Sequence, residues 1–140
     1  GWCRHAAVQG KPVSAGWFDL EIPKGETHIT LQLSMEVRQI SGSMAQTGRI
    51  ALLRGPLVYA VEMERNQLNG IAMDLLTIDN TKPFSVTPEG IETTCFIPNQ
   101  DHQERKVLFT RFSSERRTRT YFPAVLTETA MNDSLFHPQL

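Results

Sequence analysis

Two almost continuously apolar runs, Ile50 to Leu53 and Leu57 to Val61, stand on either side of Arg54-Gly55-Pro56. Runs of this length without polar alternation suit strands with little exposed face. Pro56 lacks a backbone N–H and Gly55 tolerates unusual dihedrals, so the interruption reads as a kink, bulge or sheet crossing in a bent core strand. Elsewhere the period is two. Phe18, Leu20 and Ile22 alternate with Trp17, Asp19 and Glu21. After a turn at Pro23-Lys24-Gly25-Glu26, the run from Thr27 to Met35 sets Ile29, Leu31 and Leu33 against His28, Thr30, Gln32 and Ser34. Each run predicts a strand with one buried face. His5 to Gln9 predicts a short strand, and Gly10-Lys11-Pro12 the turn of a hairpin.

Further along, Val37 to Ile40 continues the strand pattern and 41–48 is a polar, small-residue loop. The stretch from Asn66 to Pro88 is mixed, and Met73 to Ile78 fits either a short strand or a helical turn. Ile91, Thr93, Cys95 and Ile97 alternate with Glu92, Thr94 and Phe96, and Val107 to Phe112 adds another strand. About seven short strands punctuated by Gly, Pro and Asn predict an all-β, antiparallel β-sandwich of jelly-roll type in a single domain. The pattern fades after Phe112, which divides the chain into a sandwich over 1–112 and a divergent tail over 113–140.

A chain of 140 residues suffices for one domain with a core. Its 14 basic and 15 acidic side chains leave a formal net charge of -1, so no global field favours nucleic acid or an anionic membrane. Arg111, Arg116, Arg117 and Arg119 form a local basic cluster without interleaved aromatics, read as a solvated face rather than a nucleic-acid surface. No apolar run approaches the roughly 20 residues that span a bilayer. Cys3 and Cys95 have no CxxC or Cys/His spacing and read as two buried thiols.

The residues Arg49, Ala51, Leu52, Arg54, Gly55, Pro56, Leu57, Val58, Tyr59 and Glu62 together resemble a recurring segment of the β-L-arabinofuranosidase-like enzymes, glycoside hydrolase family 127. Gly1-Trp2, Gln9-Gly10, Gly16-Trp17-Phe18, Gly25-Glu26 and Leu31 to Met35 extend the likeness upstream, with Gln9, Glu26 and Ser34 departing from the usual Asn, Asp and Pro. The resemblance implies a C-terminal β-sandwich that follows a catalytic helical barrel. It also implies a cysteine nucleophile, and zinc held by cysteines and a glutamate, all in that barrel; neither Cys3 nor Cys95 matches those motifs. The chain is therefore expected to carry no catalytic, cofactor or metal residue of its own. The missing N-terminal barrel is its expected partner, with a homo-oligomer or a carbohydrate as further ones. Arg54, Gly55, Pro56, Tyr59 and Glu62 are its structural motif.

Several side chains remain candidates for chemistry or contact. Arg54 carries a planar donor fork suited to a carboxylate, to sugar hydroxyls or to bracing a loop, and bracing with Glu62 or another carboxylate is the expected role. Asp19 with Glu21, and Glu62 with Glu64, are i, i+2 acid pairs of the kind common on solvent faces. His5, His28, His102 and His137 are scattered, although His102 sits in a polar loop within reach of a ligand. Trp2, Trp17, Phe18, Tyr59, Tyr121 and Phe122 could stack on sugar rings. Trp17, opposite in phase to Phe18, Leu20 and Ile22, is the expected outward-facing sugar or interface contact. A carbohydrate-binding module is the rival to a structural accessory domain. No G-x-S-x-G, P-loop, dinucleotide or H-E-x-x-H pattern occurs.

Overall fold

The structure, a computed structural model, describes residues 3, 5–14, 16–99, 103–114 and 117–128, and the backbone of 131–132. Trp2, His102, Arg116 and His137 lie outside the described residues. The fold is all-β with antiparallel sheets, and contacts gather in two compact units, Gly1–Glu36 and Val37–Leu140.

In the first unit β1 (Ala6–Val8) pairs with β2 (Lys11–Val13) in the expected hairpin, but its turn is Gln9-Gly10 rather than Gly10-Lys11-Pro12, with Lys11 and Pro12 on the second strand. Pro12 sits on β2, an edge strand, where a missing N–H costs no central ladder bond. The other edge of β1 takes β3 (Leu31–Leu33). The strand expected from Trp17 to Ile22 does not form, and of Thr27 to Met35 only β3 joins the sheet. The physical reason is burial. None of the described residues of this unit is buried, so the alternation has no opposing layer to fill.

The second unit holds the core. It runs through β4 (Val37–Ser41), a 3-10 turn (Met44–Gln46), β5 (Arg49–Arg54), β6 (Leu57–Glu62), β7 (Thr77–Ile78), β8 (Ser85–Val86), β9 (Ile91–Phe96) and β10 (Arg105–Arg111). The short β11 (Thr118–Arg119), β12 (Phe122–Pro123) and β13 (Met131–Asn132) follow. The sheet is ordered β13-β4-β5-β6-β10-β9-β7, with β8 on β9; among the described strand pairings β13 to β4 is parallel, as is the isolated Ile78 to Ala124 bridge. At its far end β5 parts from β6. There β11 pairs with β6 and β12 with β5, so 118–123 fill the fork between them. Ala124 then bridges Ile78 of β7, and Val125 N–H donates to the Ile78 carbonyl at 3.1 Å. The pairing path from β5 through β6, β10, β9 and β7 thereby returns to β5. Its inner faces pack on one another in a sandwich-like interior of Ile50, Leu52, Val61, Ile91, Phe109 and Phe122 with their neighbours.

Two glycines fix this unit. Gly55 has φ of 60° and precedes Pro56, whose ring holds a negative φ. That sign pattern is a type II′ hairpin turn, and Arg54 pairs directly with Leu57. The Arg-Gly-Pro element is thus a tight hairpin between two antiparallel neighbours, where the sequence suggested a bend within one strand. Gly90 is needed for space, since a Cβ there would lie 2.0 Å from the Phe109 carbonyl oxygen.

Candidate functional site

The motif residues do not converge on one site. Arg54 ends β5 half-buried, paired in register with Val37 as well as Leu57. Arg38 braces the hairpin, its Nη2 donating to the Gly55 carbonyl at 3.1 Å. Sequence reasoning missed Arg38 because it reaches the turn from the neighbouring strand β4, through the Arg38 to Leu53 register. Tyr59 is buried in the core cluster, which removes it as a stacking surface. Glu62 lies at the opposite end of β6 from the hairpin.

The acid pairs dissolve as strand-face pairs. Glu64 sits in the turn that follows β6, and Asp19 and Glu21 are exposed outside any strand. Among the described residues no three His, Cys, Asp or Glu side chains gather where a metal ion could be held. Cys3 is half-buried, its thiol directed at the His5 carbonyl at 3.1 Å, and Cys95 is buried; both are free. Burial, with the nearby Asp79 charge adding to it, pushes the Cys95 thiol up to about 12. Such a thiol is an inert core group rather than a nucleophile.

The basic cluster is also partly internal. Arg119 pairs with Asp74, donates from Nε to the Tyr121 carbonyl at 3.0 Å and lies over the Phe122 ring at 5.9 Å from its centroid. Phe122 in turn meets Phe109 edge-on, with centroids 5.4 Å apart.

Among the described residues, two surfaces could meet a ligand or partner. The first belongs to the first unit, where Trp17, Phe18, Leu20, Ile22, Ile29 and Leu31 are all solvent-exposed, Trp17 completely so. One hollow there, about 480 Å³, is lined by His5, Pro12, Val13, Gln32 and Leu33 among others. The second surface is a pair of hollows on the second unit that share Thr118. One, about 320 Å³, is walled by Glu62, Arg65, Glu89, Thr110, Arg111 and Ser113. The other, about 220 Å³, is walled by Gln46, Phe112, Arg119, Thr120 and Tyr121. No local spacing could have signalled this groove, because its walls come from distant parts of the chain.

Among the described residues no helix is long and apolar enough to cross a membrane. No protein-family model matches the chain, and no curated protein matches it. Solved structures do. One is a family 127 β-arabinofuranosidase, similar over 92% of this chain with a TM-score of 0.57 and 15% identity. Another, described as a glycoside hydrolase, is similar over 89% with a TM-score of 0.56 and 18% identity. A third, a family 127 β-L-arabinofuranosidase from Geobacillus stearothermophilus T6, is similar over 89% with a TM-score of 0.50 and 20% identity. The chain spans 24%, 26% and 25% of the lengths of these proteins. Its fold is similar to that of about a quarter of each of these glycoside hydrolases, two of them of family 127, the family that the Arg-Gly-Pro resemblance pointed to.

Proposed function

We propose that this chain is a non-catalytic accessory domain of a larger glycoside-hydrolase-like protein, and that the apolar face of its first unit is covered by the remainder of that protein, a helical-barrel catalytic domain. One observation carries the reading: the first unit, none of whose described residues is buried, exposes Trp17, Phe18, Ile22 and Ile29 in its non-strand segments and Leu31 on β3 to solvent. A three-stranded sheet that buries none of its described side chains gains little hydrophobic stabilisation until something packs on it. Full burial of one such side chain contributes roughly 1.5–3 kcal/mol. Covering the whole set would therefore contribute on the order of 10 kcal/mol. The coverage of only about a quarter of the similar solved proteins supports a covering layer supplied by other parts of the same polypeptide. On this reading the zinc and the cysteine nucleophile implied by the resemblance belong to the catalytic domain.

The test is sedimentation velocity of the isolated chain over a range of micromolar concentrations, beside a variant carrying Trp17→Glu and Leu31→Glu. The expected result is concentration-dependent self-association that the paired substitution abolishes. A wild-type chain that stays monomeric at the highest concentration would remove the argument for a covered face.

A further inference from the structure

The two hollows share Thr118 as a lining residue and differ in their chemistry. In the larger one, Glu62 and Glu89 bring carboxylates, Arg65 and Arg111 bring guanidinium forks, and Thr110 and Ser113 add hydroxyls. The four charges cancel, so the hollow has no preference for an anion or a cation. What it offers is hydrogen-bond acceptors beside donors, the complement of adjacent hydroxyl groups, each of which both donates and accepts. The smaller hollow differs. Phe112, 52% exposed, and Tyr121 present aromatic surface there beside Gln46 and Arg119. An aromatic face of that kind suits the apolar C–H side of a sugar ring.

The walls are held in place without a ligand. Phe112 N–H donates to the Val58 carbonyl at 2.9 Å, extending the β10 to β6 ladder past Arg111. Thr118 is fixed by its register with Glu62. Arg65 is paired with Glu89, and Arg119 with Asp74. The turn that carries Arg65 is clasped by Asn66, whose carboxamide donates to the carbonyls of Glu62 and Leu108 at 3.0 Å each and accepts the Leu108 N–H at 2.7 Å. Donors and acceptors already in position lose little freedom when a ligand arrives.

We propose that this groove is a binding site for a short neutral oligosaccharide, with one sugar hydrogen-bonded among Arg65, Glu89 and Arg111 and the next resting on Phe112. The proposal uses no residue of the first unit, so it stands or falls separately from the interface reading. Its test is a ¹H–¹⁵N correlation titration of the full chain with arabinotriose and, in parallel, with inorganic phosphate. The expected result is saturable shifts in the amides of Thr110 to Ser113 and Thr118 to Tyr121 with arabinotriose, a Kd on the order of 1 mM, and no saturable response to phosphate. Phe112→Ala and Arg111→Ala should each weaken binding about tenfold, the scale of one lost charge-assisted or stacking contact. Arg111→Lys should weaken it as well, since a point charge does not replace the planar fork, and it serves where Arg111→Ala disturbs the fold. Trp17→Ala should leave binding unchanged. Absence of saturable shifts, shifts confined to residues before Glu36, or phosphate binding at the same amides would each overturn the proposal.

Discussion

Replacing Phe122 by Ala tests whether the segment after Phe112 belongs to the fold. Phe122 has no exposed surface, stands in the core cluster, meets Phe109 edge-on and lies under the Arg119 guanidinium. It also sits in β12, the strand that fills the fork between β5 and β6. Truncating a buried Phe to Ala costs about 3–5 kcal/mol. The edge-on pair contributes roughly 0.5–1.5 kcal/mol beyond area burial, and the cation contact about 0.5–1 kcal/mol. A domain is typically stable by about 5–15 kcal/mol, so the variant should lie near the edge of folding. At about 4 °C per kcal/mol for a unit of this size, Tm should fall by at least about 12 °C. Both tryptophans, Trp2 and Trp17, precede Glu36. Urea denaturation of the second unit is therefore better followed by far-UV circular dichroism than by fluorescence. Phe122→Leu, which keeps most of the volume, should cost less than about 1.5 kcal/mol and remain measurable. Phe112→Ala, at an exposed site, should stay within about 0.5 kcal/mol of wild type. If Phe122→Ala instead lost less than about 1 kcal/mol, the packing of 118–124 into the core would be refuted.

Gly90→Ala should destabilise by roughly 1–3 kcal/mol, because its Cβ would meet a backbone oxygen 2.0 Å away rather than a side chain able to move; a chemical-denaturation midpoint equal to wild type would contradict that. An aromatic disulfide reagent at mildly alkaline pH should titrate Cys3 in the native chain and reach Cys95 only after denaturant is added, and rapid native reaction of both thiols would show Cys95 to be accessible. The Thr81 hydroxyl donates to Asp79, which holds that carboxyl below its usual value of 3.8 against the opposing effect of burial. A lowered folded value contributes stability that is complete above the unfolded value and lost as pH falls through the folded one. The stability difference between wild type and Thr81→Ala should thus be constant near neutrality and narrow below about pH 4; a difference unchanged well below pH 3.8 would break the assignment.

The sequence was most readable where both sides of a strand find neighbours. Ile91 to Ile97 and Val107 to Phe112 fall on β9 and β10, with Ile91, Cys95, Val107 and Phe109 facing the core as the alternation required. The same alternation from Trp17 to Ile22 misled, because a period of two says which face would be buried and not whether anything lies against it. Gly55-Pro56 was read as a bend because Pro and Gly suit several geometries; the Arg54 to Leu57 register, a non-local fact, selects the hairpin. Phe122, a candidate for sugar stacking in the sequence, is a buried core residue, and the short β11 and β12 have no signature there since two-residue strands carry no period. The groove was illegible for a related reason, as Glu62, Arg111 and Thr118 meet only through sheet pairing and Glu89 joins them from the turn before β9.

The most direct test of the central claim, an accessory domain within a larger glycoside-hydrolase-like protein, is to read the source DNA outward in frame from both ends of the coding segment. The account predicts a continuous frame that encodes a helical barrel with clustered cysteines and a catalytic glutamate upstream of Gly1. An upstream sequence encoding no such domain would contradict it and leave a free-standing β domain whose exposed first-unit face needs a different partner.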